Sequence, residues 1–186
     1  MIEDKYEYPT YAKLIHLGLA FFGVAAYLSS EFADDDLTSI GYLLHSYLGL
    51  SVAVMIAARL IVGSTSSGVL SFKDWTFFSR QQWKFALEDF RSLLSLNIPE
   101  REKHQGLSGI TQAFGLFVFT WMSVTGTALF LLNSAEESKV FELIEEIHEV
   151  GETLIPLYLF LHVGAVVLHM LCGKPIWKRM FKFKSN

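Results

Sequence analysis

A chain of 186 residues is ordinarily one domain, but 52% hydrophobic residues, 16 phenylalanines and a mean hydropathy of +0.36 exceed what a soluble domain of that size needs, so the bilayer is the expected solvent. The 15 basic and 19 acidic residues leave a net charge of −4, and no nucleic-acid partner is expected. The single cysteine, Cys172, excludes an internal disulfide, a four-cysteine iron–sulfur cluster and covalent cofactor attachment through a Cys-x-x-Cys-His site.

Residues Met1 to Thr10 are acidic and aromatic and resemble no cleavable signal, so the first apolar segment is expected to stay in the mature chain. Four segments are apolar for about the 20 residues that cross a hydrocarbon core of about 30 Å. They lie near residues 10–30, 38–63, 106–132 and 145–173, with Pro9 suited to the first turn of the first helix. The expected fold is all-α: residues 1–186 as a single transmembrane domain, an integral membrane four-helix bundle with an interfacial helix between transmembrane helices 2 and 3. That helix falls in the connection 64–105, where Trp83, Phe85, Leu87, Phe90, Leu93 and Leu94 alternate with Arg80, Lys84, Glu88, Asp89 and Arg91 at roughly helical spacing. Membrane lipid is the expected neighbour, and a protein-docking helix is the competing reading.

Orientation follows from the basic residues. The N-terminus, the middle connection and the C-terminal tail hold all of the 15 Lys and Arg except Arg59 and Lys139. The positive-inside rule then puts both termini and the connection 64–105 in the cytoplasm. The opposite face carries Glu31, Asp34, Asp35 and Asp36 in one connection, and Glu136, Glu137, Glu142, Glu145, Glu146 and Glu149 in or after the next, and is strongly acidic.

Histidine within a span is costly unless it has a partner or a ligand. His148 and His162 belong to the fourth span, and their 14-residue separation gives about 21 Å of helix with the side chains about 40° from a common face. Alternating helix directions bring His45 of the second span to the depth of His148, and His16 of the first toward the depth of His162. Four imidazoles on facing helices at two depths suggest two haems held non-covalently between His45 and His148 and between His16 and His162. Gly23, Gly49 and Gly151 lie where a flat macrocycle needs gaps, although close helix packing accounts for such glycines equally well. Hydrogen-bonded histidines in a non-redox anchor or transporter, or a divalent-metal site, are the alternatives. The spans offer few carboxylates for a metal, Glu152 being near the outer boundary.

Leu44-His45 with Leu48-Gly49 and Arg59, Ile147-His148-Glu149 with Leu161-His162-Val163-Gly164, His104-Gln105-Gly106-Leu107-Ser108-Gly109 and Thr125-Gly126 together resemble the bacterial cytochrome b561 family. This family includes the b-type cytochrome subunits of membrane hydrogenases and of dihaem-cytochrome systems. Leu17 stands where the family commonly has Trp after the first histidine, and Gln105-Gly106 replace an Asn-Pro pair. The resemblance implies a dihaem b-type cytochrome of the bacterial inner membrane, multi-pass, exchanging electrons between the quinone pool and a redox partner. The acidic outer face suits a basic periplasmic partner such as a c-type cytochrome or an oxidoreductase subunit. The chain is then an electron-transfer cytochrome or a subunit of an oxidoreductase complex. A stand-alone oxidoreductase of a small substrate, of the superoxide:quinone type, is the alternative, but an acidic face repels such an anion.

Three further residues carry open readings. Arg59 is placed to meet a haem propionate or to anchor the span in the headgroups. His169, two turns beyond His162, is a rival inner ligand, and otherwise binds a propionate or quinone or reaches the interface. His104, at the inner membrane edge, is read as interfacial rather than ligating.

Overall fold

A computed structural model describes residues 8–33, 38–67, 70–72, 80–95, 97–99, 101, 105–132 and 138–182. His104, Asp34, Asp35, Asp36, Glu136 and Glu137 lie outside these residues. The described chain is helical, with α1 (Thr10–Ser30), α2 (Ile40–Thr65), α3 (Arg80–Leu94), α4 (Leu107–Leu132), α5 (Lys139–Leu171) and the short α6 (Lys178–Phe181). Four of these, α1, α2, α4 and α5, are long and apolar enough to cross a membrane. At about 1.5 Å per residue even α1 reaches about 30 Å.

Helix starts follow local chemistry. Ser39 precedes α2 and its hydroxyl accepts the Tyr42 N–H at 3.1 Å; Ser138 precedes α5 and accepts the Phe141 N–H at 3.2 Å. Each satisfies one of the amides that a helix start leaves without an internal partner. Ser138 therefore starts α5 at Lys139, well before residue 145, and the acidic turn around Glu142, Glu145 and Glu146 is helical. Pro9 accepts the first backbone bonds of α1, from Ala12 and Lys13.

The side-chain distribution is that of a protein dissolved in lipid. Large apolar residues point outward along every span, among them Phe21, Val54, Phe117 and Phe160, the last 75% exposed. In water each would forfeit about 1.5–3 kcal/mol of burial, a loss that hydrocarbon chains remove.

The chain divides into two compact units. One comprises Leu14–Arg59 and Leu116–Leu157, four helical segments whose core includes Ala26, Val52, Ile56, Ile155 and the fully buried Val118. In it, α4 and α5 are joined by the Trp121 indole, which donates to the Ile147 carbonyl at 3.0 Å. That bond fixes the rotation of α5 beside His148.

The other unit comprises Met1–Lys13, Leu60–Gly115 and Tyr158–Asn186. Here α3 buries Gln82, Ala86 and Asp89 against the protein, Asp89 to 3% exposure. The reason lies at the start of α4. Gly106, with φ +64, occupies the capping position and has no side chain to offer. The Asp89 carboxylate accepts the Leu107 N–H at 3.0 Å and the Gln82 amide oxygen accepts the Gly106 N–H at 2.8 Å, so α3 caps α4 from outside. Arg101 completes the arrangement. It donates from Nε to Asp89 at 2.7 Å and from a terminal nitrogen to Glu88 at 3.0 Å, with its guanidinium 4.3 Å from the centre of the Phe85 ring. Burial lowers the Arg101 pKa, but hydrogen bonds and charge from Asp89 and Glu88 outweigh it and hold the group above its ordinary value. A basic group raised in this way stays charged throughout the ordinary pH range.

Candidate functional site

The first unit contains a partly open cavity of about 260 Å³, a little below the roughly 300–1,000 Å³ typical of small-molecule sites. Its walls are mainly apolar and aromatic, with Leu50, Val52, Phe119, Met122, Leu129 and Phe130 among them, and both His45 and His148 line it. The two imidazole centres are 6.3 Å apart with their planes at 86°.

Each ring is held through the same atom. Nδ1 of His45 lies 3.0 Å from the Ala26 carbonyl, which can only accept, so this nitrogen carries the proton and donates. Nδ1 of His148 lies 2.7 Å from the Thr125 hydroxyl, whose own hydrogen goes to the Trp121 carbonyl at 2.9 Å. Thr125 therefore accepts from His148. In both residues the proton on Nδ1 leaves Nε2 with its lone pair, the form in which imidazole binds a metal. Gly126 gives the His148 ring its place: a Cβ there would come 3.1 Å from His148 Cε1.

The donor set fits a haem iron. With a metal–nitrogen bond of about 2.0 Å and about 1.2 Å from nitrogen to ring centre, two imidazoles on opposite sides of one iron have centres about 6.4 Å apart. The observed 6.3 Å agrees. Among the described residues no group of three or more His, Cys, Asp or Glu could hold a bare metal ion. Room beside the rings is uneven. Gly49 lines the cavity and a Cβ on it would meet nothing within 4 Å, whereas a Cβ on Gly151 would meet Met122 and Trp121. Gly49 thus opens space and Gly151 serves helix packing.

Three carboxylates, Glu145, Glu149 and Glu152, line the same cavity, with no Lys or Arg among its described lining residues. Glu152 is tied to α1 by the Ser30 hydroxyl at 2.5 Å. The sequence places these acids near the outer face in general; Glu145 and Glu152, three residues before and four after His148, share its helix face.

The remaining histidines and Arg59 are distributed as follows. His16 and the half-buried Arg59 belong to the same unit as the cavity but are not among its lining residues. His162 belongs to the other unit, where its ring stacks on Tyr158 with centres 5.4 Å apart and planes at 17°. His169, also in that unit, donates from Nδ1 to the Ala165 carbonyl one turn back at 2.8 Å. Ala26 and Thr125, the groups that set the two tautomers, were not singled out from sequence as partners of the rings. For Thr125 the signal was its place beside Gly126 in a matching motif; a backbone carbonyl such as that of Ala26 leaves none.

The described residues thus include four helices long and apolar enough to cross a membrane, two of which bring a pair of imidazoles to one cavity. The chain matches prokaryotic cytochrome b561 over residues 7–183 and belongs to that family. No curated protein and no solved structure matches it. The family binds haem b, so the chain is a multi-pass membrane b-type cytochrome that transfers electrons within the membrane.

Proposed function

We propose that the chain is a dihaem cytochrome of the bacterial inner membrane that carries electrons between the quinone pool and a redox partner at the outer face. The observation that carries this reading is the His45–His148 cavity, with its 6.3 Å ring separation and both Nδ1 protons engaged. His45 and His148 would hold one haem through their Nε2 atoms. His16 and His162 are assigned to the second from their order along the sequence, with Arg59 directed to a propionate and His169 and His104 as accessory residues. Bound between such imidazoles, haem b supplies a reversible one-electron couple.

The chain's own groups do the rest. Ala26 and Thr125 hold the two rings in the ligating tautomer, and the wall around the rings is mainly apolar. Glu145, Glu149 and Glu152 give the entrance a negative field. That field favours a partner with a basic surface, such as a c-type cytochrome or another basic redox subunit, and disfavours a small anion such as superoxide as substrate. Both termini and the connection 64–105 are assigned to the cytoplasm from the basic residues.

A pyridine haemochrome assay with protein quantitation tests the proposal. Two haem b per chain is the expected result. One haem per chain contradicts the second site, and none contradicts the function.

A further inference from the structure

α3 has two exposed rows that the electron-transfer reading does not use. At about 100° per residue, Trp83, Leu87, Phe90 and Leu94 fall within an arc of about 60°, and Arg80, Lys84 and Arg91 form a second row immediately beside it. All four apolar side chains are at least half exposed, Leu94 to 71%, and the three basic residues are exposed as well. The opposite side of the helix is occupied, since Gln82 and Asp89 are engaged at the start of α4 and Phe85 lies under Arg101. α3 therefore cannot rotate to hide its apolar row without uncapping a membrane-spanning helix. Because it is fastened to the first residues of α4, it also lies at the level where that helix enters the bilayer.

We infer that α3 is a binding surface for anionic phospholipid in the leaflet where α4 begins. The apolar row lies among the acyl chains, and Arg80, Lys84 and Arg91 reach the phosphates beside it. Helix electrostatics favour the same occupant. Arg80 and Lys84 stand in the first half of the helix, whose first turn has no acidic residue, and positive charge there opposes the helix dipole. An anionic headgroup relieves that conflict, whereas an uncharged surface leaves it in place.

The test uses the full-length protein reconstituted in vesicles of equal parts phosphatidylglycerol and phosphatidylcholine, with brominated chains on one lipid or the other. The quenched signal assigned to Trp83 is the difference between the wild-type protein and Trp83→Phe. Bromine on phosphatidylglycerol should quench that signal about twofold or more over bromine on phosphatidylcholine, and Arg80→Gln/Lys84→Gln/Arg91→Gln should equalise the two. Equal quenching in the wild-type protein overturns the preference for anionic lipid. A Trp83 signal quenched by neither lipid places the row in water or against another protein and overturns the proposal altogether. The wild-type comparison decides by itself if the triple variant does not fold.

Discussion

Thr125→Val removes one hydroxyl and leaves the side chain's shape almost unchanged. In the wild-type protein that hydroxyl accepts the His148 Nδ1 proton at 2.7 Å and passes its own hydrogen to the Trp121 carbonyl. The net worth of such a bond is about 0.5–1.5 kcal/mol, rising to about 1–3 kcal/mol where the Nδ1–H of the half-buried His148 is left without an acceptor. At about 1.4 kcal/mol per factor of ten, haem affinity at this site should fall between a few-fold and about 100-fold, overlapping the roughly 10–100-fold typical of groups that orient metal-binding histidines. Haem transfer to excess apomyoglobin, followed by absorbance, measures the loss. Thr125→Ser keeps the hydroxyl and should retain most of the affinity. Thr127→Val is the control, because Thr127 lines the same cavity. Equal haem loss from Thr125→Val and Thr127→Val would refute the assignment of Thr125 as the group that orients His148.

Gly126→Val should strip or weaken the same haem more severely, since a Cβ already comes 3.1 Å from His148 Cε1 and the two branching methyls extend further; haem content per chain reads the effect. Asp89→Ala removes the outside cap of α4 and a charged hydrogen bond to Arg101, together about 2–4 kcal/mol. Asp89→Asn should lose about half as much, both read from the thermal unfolding midpoint in detergent. Electron transfer to a basic outer partner should slow as ionic strength rises from about 10 to 150 mM, because the Debye length shrinks from roughly 30 to 8 Å. A stopped-flow rate that does not change over that interval counts against an electrostatically guided encounter.

The spans were legible in the sequence because a helix in lipid must be apolar all round, a signal that needs no knowledge of its neighbours. α3 was legible as an interfacial helix from the alternation of apolar and charged residues between Arg80 and Leu94, but the contact that orients it was not. Gln82 and Asp89 are buried because they accept the first backbone amides at the start of α4, where Gly106 has no side chain to offer. That demand arises between residues far apart in sequence. At the cavity, depth along alternating helices put His45 level with His148, and the structure brings their rings together. What sequence could not give was the means of holding them: the Ala26 carbonyl is backbone, and Thr125 is an ordinary helix residue until α5 packs against it. The role of Gly151 was ambiguous for the same reason, and contact with Met122 and Trp121 resolves it as packing.

The central claim is that His45 and His148 hold the same iron. Low-temperature electron paramagnetic resonance of the oxidised protein, compared among wild type, His45→Ala, His148→Ala and the double variant, addresses it most directly. The account predicts that both single variants lose the same low-spin ferric signal and keep the other, and that the double variant adds little to either, since residues sharing one site are not additive. Loss of different low-spin signals in His45→Ala and His148→Ala, or retention of both signals in either variant, would contradict it.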